Sequence, residues 1–272
     1  MFDFNMQVNA VLQNQQMLNT YFTNMQNQFT PGYKSETISF ADILGQQMAG
    51  RGAKVKQSGI CFTQGQIAQT NVPTNLAVNG NGFFIVNNGG KEEYTRDGQF
   101  TWKDGQLVNP NGMQVMGFDL DANGNMTGKA KPIRLPLDQQ TGLYGGKYSN
   151  LRFDESGTLY GQVTETDPLT NQSSTKEVPV AQVALASFAN SSGLKKTGNT
   201  TFGATEASGH AVMGVAGQGA LGRIAPGSLE MSNVDFAQQA AAIGMAKQNY
   251  EANFAAFKAM DKMTQDAMGL IH

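Results

Sequence analysis

The chain opens on a seven-residue beat of apolar positions. Phe4, Val11, Leu18 and Met25 make one row, and Met1, Val8, Phe22 and Phe29 make a companion row that Gln15 interrupts. Rows spaced in this way form an a/d seam and predict an amphipathic helix. Thr30-Pro31-Gly32 stops it, because proline drives the preceding residue out of the helical region and glycine permits a turn. The polar positions are filled by Asn and Gln, and Asp3 is the only charged side chain before Lys34. Such a helix is marginal by itself in water.

A second helical pattern runs from about residue 232 to 270. Phe236, Ile243, Tyr250 and Phe257 repeat every seven residues. Ala240, Phe254 and Met268 widen the stripe on one side, Ala246, Met260 and Ala267 on the other. Ser232-Asn-Val-Asp235 reads as a capping box, with Ser232 as the N-cap and Asp235 three residues on. Met231 and Phe236 stand where a hydrophobic staple would place them.

Between the helices the pattern changes to short apolar runs punctuated by Asn79-Gly80, Asn88-Gly89, Asp97-Gly98, Asp104-Gly105, Asn111-Gly112 and Asn123-Gly124. These pairs tolerate the positive φ of tight hairpin turns. Strands are expected over 76–78, 83–86, 94–96, 99–102, 106–108, 113–120, 151–153, 158–163 and 178–188, with a loop between Leu137 and Tyr148. Strand–helix alternation is absent, which argues against a parallel α/β sheet. The expected fold is α+β: residues 1–33 and 232–272 form a coiled-coil-like helical domain, 34–75 an extended connector, and 76–231 a mainly antiparallel β domain.

Composition narrows the function. Only 15% of residues are charged and the formal net charge is -2, so the basic footprint of a nucleic-acid binder is missing. No run of about 18 apolar residues suggests membrane insertion. The start, Met1-Phe-Asp-Phe-Asn5, lacks a basic n-region, so a cleaved secretory signal is not expected. One cysteine, Cys61, can make neither an internal disulfide nor, with His210 and His272, a zinc site.

Candidate chemistry is thin. Gly217-x-Gly219-x-x-Gly222 matches a dinucleotide fingerprint as a string, but Pro226-Gly227 follows where the motif needs a helix. Asp119-x-Asp121-x-Asn123-Gly124 resembles the opening of a calcium loop, yet Ala130 occupies the place of the closing Glu, so a hairpin turn is expected. There is no Gly-x-Ser-x-Gly elbow and no convincing acid/base pair. These observations predict a protein without catalytic residues, metal or cofactor.

Five stretches resemble the flagellar basal-body rod and hook family, in family order. They are Phe62-Thr-Gln-Gly65 with the run from Thr70 to Phe84; Tyr94-Thr-Arg-Asp-Gly98 with Phe100 and Gly105-Gln-Leu-Val108; the run from Ala184 to Asn190 with Gly193-Leu194 and Gly198-Asn199; Ala207-Ser-Gly209; and Gly227-Ser-Leu-Glu-Met-Ser-Asn-Val-Asp235 with Tyr250-Glu-Ala-Asn253. The N-terminal run departs from the family, keeping only Asn24, Gly32, Tyr33 and Lys34 of its motif. The stretch from Ala255 onward is also atypical.

The resemblance implies a structural subunit of the bacterial flagellum basal body, exported through the flagellar type III channel and assembling helically. Its terminal helices would line a tube that transmits torque and passes exported subunits. It also implies partners: copies of the chain, neighbouring rod or hook proteins, and the export apparatus. Hook proteins carry an extra outer domain, so this length suits a rod. The expected polymer interface is Phe4, Val8, Val11, Leu18, Phe22 and Met25 with Phe236, Ile243, Tyr250, Phe254 and Phe257. Two alternatives stand beside this reading: a short hook-type subunit, and a secreted β-rich surface-binding protein, for which Trp102 would be the single tryptophan.

Overall fold

The computed structural model describes residues 4–41, 54–121, 123–136, 138, 141–166 and 173–269. They divide into two compact units. One comprises Met1–Phe29, Lys34–Cys61 and Asn233–His272; the other comprises Thr30–Tyr33 and Phe62–Ser232.

The first unit holds α1 (Phe4–Gln26), an antiparallel pair β1 (Glu36–Ala41) and β2 (Lys54–Ile60), and α2 (Phe236–Gly269). Proline and glycine end the N-terminal helical region as expected, with Gly32 at φ 68°. The two helices lie against each other, and Asn24 Nδ2 donates to Gln239 Oε1 at 3.2 Å.

The second unit is built from strands: β3 (Ile67–Gln69), β4 (Leu76–Asn79), β5 (Phe83–Asn88), β6 (Lys91–Thr95), β7 (Thr101–Lys103), β8 (Gln106–Val108), β9 (Gln114–Leu120), β10 (Met126–Pro132), β11 (Ser149–Phe153), β12 (Thr158–Thr166), β13 (Ser173–Val183), β14 (Leu185–Ser187), β15 (Lys195–Lys196), β16 (Thr201–Gly203), β17 (Val212–Gly214), β18 (Arg223–Pro226) and β19 (Ser228–Glu230). Among the described residues, the main sheet runs β11-β12-β13-β9-β5-β6-β16-β15. β10 and β8 pair with β9, β7 with β8, and β14 with both β5 and β17. Two further pairs, β4 with β18 and β3 with β19, complete the unit, and the pairing is antiparallel throughout.

Turn chemistry sets the registers. Lys103 pairs with Gln106, so Asp104-Gly105 is a two-residue loop, and its φ values of 51° and 71° are those of a type I′ turn. Leu76, Val78, Phe84, Val86, Phe100, Leu107, Val115, Leu159, Val183, Leu185 and Ile224 fill the core. Phe84 meets Phe100 edge-on at 5.0 Å.

Gly98 is a point of close approach in this core. A β-carbon there would lie 1.6 Å from the Leu76 carbonyl oxygen, on a strand buried along most of its length. Backbone cannot move aside as a side-chain tip can. Gly98→Ala is therefore expected to cost about 3 kcal/mol, the upper end of overpacking, read as a lower urea midpoint at unchanged slope.

The α+β expectation with a coiled-coil-like terminal domain does not hold. The chain is mostly β, with α1 and α2 the only α-helices among the described residues. Three observations correct the earlier reading. The companion row points outward: Gln15 and Phe22 on α1 and Phe29 just beyond it are exposed, while Val11, Leu18, Tyr21 and Met25 are half-buried. Among the described residues of α2, Ala246 is the one fully buried side chain. Two helices with faces this open do not interlock side chains as a heptad seam requires. The extended connector also proves to contain β1, β2 and β3, although residues 42–53 lie outside the described residues.

Candidate assembly surface

In the helical unit, asparagine side chains stand in for strand backbone. Asn24 is buried, and its amide exchanges two hydrogen bonds with Glu36. Nδ2 donates to Glu36 O at 2.8 Å and Oδ1 accepts from Glu36 N at 2.9 Å. That pairing fixes the end of α1 on the hairpin. Asn233 does the same before α2, accepting from Ser35 N at 2.8 Å and donating to Cys61 O at 2.7 Å. The Cys61 and Ser35 backbones are themselves joined at 2.9 Å.

The start of α2 differs from the predicted capping box. Asp235 is the cap: its Oδ1 accepts from Ala237 N at 2.9 Å and Gln238 N at 3.1 Å. Ser232 lies outside the helix, three residues too early to cap it. The predicted staple partner Phe236 is 53% exposed. The competing demand is Asn233, whose side chain is committed to the hairpin and holds this segment extended.

The predicted seam residues divide by environment. Val11, Leu18, Met25, Ile243, Tyr250 and Phe257 are half-buried, whereas Phe22, Phe236 and Phe254 are exposed. Phe4 and Val8 belong to α1, and their side chains lie outside the described residues. Tyr250, Phe254 and Phe257 form a column of near-parallel rings, with centroids 6.0 and 6.5 Å apart. Lys258 Nζ sits 4.8 Å over the Phe254 ring. Leu12, Met245 and Met263 add exposed apolar area that the heptad reading missed. The available signal was plain: large apolar residues off the seam, in α1 on a helix without a charged side chain.

In the β unit, Arg96 and Glu230 form a buried knot. Arg96 donates from Nη1 to Glu230 Oε2 at 3.1 Å and to Val78 O at 3.3 Å, and from Nη2 to Gly80 O at 2.9 Å. Glu230 Oε1 accepts from Gly65 N at 2.9 Å. Burial pulls the guanidinium pKa down and Glu230 opposes that pull. The knot joins β4, β6's end, β19 and the segment before β3. Neither residue was singled out from sequence, because 134 positions separate them.

Asp97, beside the knot, is buried and its carboxylate accepts from Gln99 N at 3.0 Å. Burial pushes its pKa up to about 6, and the Gln99 hydrogen bond works in the opposite direction. Between about pH 4 and 6 the folded unit holds a proton that the unfolded chain has released. Stability should therefore fall as pH rises through that window, by on the order of 3 kcal/mol, and lose no more above it. Melting curves of Asp97→Asn should show this slope removed.

The remaining motifs resolve into turns. Asp121 Oδ1 accepts from Asn123 N at 2.9 Å and Asn125 N at 2.8 Å, which makes the expected hairpin turn between β9 and β10. Gly217 N donates to Gly222 O at 2.9 Å, closing a turn that leads into β18. Among the described residues no three His, Cys, Asp or Glu side chains converge as metal ligands, and no helix is long and apolar enough to cross a membrane.

Comparisons with known proteins agree with this geometry. The family described as "Flagellar hook protein FlgE/F/G D1 domain" matches residues 77–161, from β4 into β12. The family described as "Flagellar basal body rod FlgEFG protein C-terminal" matches residues 225–270, from β18 through α2. The flagellar basal-body rod protein FlgG of Bacillus subtilis is 27% identical, covering 94% of this chain and 94% of its own. That of Borreliella burgdorferi is 26% identical, covering 90% and 89%. The flagellar hook protein FlgE of Salmonella typhimurium is 24% identical, covering 91% and 94%. With two matches in chain order and relatives aligned over nine-tenths of its length, the chain belongs to the flagellar basal-body rod and hook family.

Proposed function

We propose that this chain is a rod-type structural subunit of the flagellar axis, finished only when copies cover the apolar faces of its terminal helices. The observation that carries the reading is the exposed Leu12 and Phe22 on α1 together with Phe236, Met245, Phe254 and Met263 on α2. A globule of 272 residues has enough apolar side chains to bury such a face, yet these remain outside. The polymer interface comprises Phe4, Val8, Val11, Leu18, Phe22, Met25, Phe236, Ile243, Tyr250, Phe254 and Phe257. Contacts between different patches on successive copies do not close and so extend into a filament.

Alignment length favours rod over hook. The rod relatives align over 267 and 275 positions, the hook relative over 381. The hook protein thus carries an insert that this chain lacks. The relatives are structural proteins by name, which agrees with the absence of a catalytic set in the sequence. Neighbouring axial proteins and the flagellar export apparatus complete the proposed partners, and the basal body is the location. A chain without internal disulfides suits export as an extended thread. Sedimentation of the purified chain against concentration tests the proposal: long polymers are expected, and a stable monomer that binds glycans or turns over a substrate would reject it.

A further inference from the structure

The β unit has a feature that the helical faces do not explain. A cavity of about 400 Å³ opens beside β14 and β17, lined by Phe62, Phe83, Phe188, Val212, Ala220 and Arg96 among others. Arg96 stacks over Phe83 at 5.0 Å, and its Nε is buried with no hydrogen-bond partner among the described residues. The rim strand β17 pairs with β14 on one side and with no described strand on the other, and it exposes Val212 (65%) and Met213.

Charge decides what can enter. Glu230 already neutralises Arg96, and the rest of the lining comes from stretches without Asp, Glu, Lys or Arg: 57–90, 187–191 and 207–222. A cavity lined by aromatic rings with Asn81, Ser187 and Ser191 among them, and with its one charge already paired, disfavours a charged ligand and fits an uncharged apolar side chain. The β unit exposes four large apolar side chains among its described residues: Val72, Met126, Val212 and Met213. Two belong to the rim. Met126 lies on a hairpin with Asp119, Asp121, Lys129 and Lys131. Val72 alone sits in a charge-free turn. That turn is rigid: Thr70 N and Asn71 N donate to Gly227 O, Asn75 N donates to Val72 O, and Asn75 Nδ2 donates to Thr70 Oγ1.

Resting on the axial reading above, we infer that the cavity receives the Val72 turn of a second copy of this chain, a knob-and-hole contact between β units. Hole and knob are different patches, so the contact repeats along a filament without closing on itself. The turn supplies the apolar side chain.

Two single-cysteine chains test this, both in a Cys61→Ser background: Val72→Cys and Val212→Cys. Mixed, polymerised and oxidised, they should give a mixed disulfide at least tenfold above either homodimer. Polymerised Val212→Cys should also be shielded from a soluble maleimide. Polymers in which Val212→Cys reacts as fast as in monomer would overturn the inference and leave the cavity to a different molecule. Normal polymerisation of both Val72→Asp and Val212→Asp would overturn it too, with the axial reading intact. A wild-type chain that never associates would remove both.

Discussion

Arg96→Met should be among the most damaging single changes in the β unit, lowering its melting temperature by about 10 °C. The side chain is 4% exposed and its partner Glu230 is fully buried. Methionine fills much of the volume and keeps the contact with Phe83, so the loss is chiefly electrostatic. It takes from the buried Glu230 carboxylate its ion pair with Arg96, while the hydrogen bond from Gly65 N remains. Breaking a buried pair from one side costs about 3–5 kcal/mol, and a unit of this size moves by about 2–4 °C per kcal/mol. The carbonyl of Gly80 loses the Arg96 donor as well, and that of Val78 keeps only its other donor, Gln64 Nε2. Removing both charges, in Arg96→Met with Glu230→Leu, should recover at least half of the loss, because the carboxylate that Arg96 balanced is then gone as well. Calorimetry of the three proteins checks this; equal losses in the single and double variants would show that the pair matters for shape and not for charge.

The largest effect on assembly is expected from Phe22→Asp and Phe254→Asp. These side chains are 47% and 39% exposed, so the isolated chain should fold and melt as before. In the proposed polymer sister chains cover each ring, and full burial of a phenylalanine is worth about 1.5–3 kcal/mol. Burying an unpaired carboxylate in its place is worse. The concentration needed for polymerisation should therefore rise by about two orders of magnitude. Leu18→Asp should abolish assembly as well, but as a half-buried residue it should also loosen α1 in the monomer. Light scattering against concentration, with circular dichroism as the folding control, separates the two effects.

What could be read from the sequence depended on range. The strands of the β unit announced themselves through Asn-Gly and Asp-Gly turns, which act over two residues and need no knowledge of the rest of the chain. The β1–β2 pair was missed although Ile38 and Phe40 alternate correctly, because the polar stretch around them reads as connector. β3 and β19 span three residues each, too few for any period to show. The helices were found, but the companion row of α1 lies outward. A heptad count follows apolar residues alone, while the inner side includes Tyr21 and also Asn24, whose value lies in hydrogen bonds to Glu36 and Gln239. The same bias put the helix cap at Ser232. Arg96 and Glu230 were invisible for the plainest reason: nothing local pairs two residues in different strands.

The account rests on the terminal helices being covered by sister chains. Amide hydrogen exchange, compared for α1 and α2 in monomer and in polymer, addresses that most directly. Protection along 11–25 and 236–260 should rise by at least tenfold on polymerisation while the core strands β5 and β9 stay unchanged. Equal exchange of both helices in the two states would contradict it.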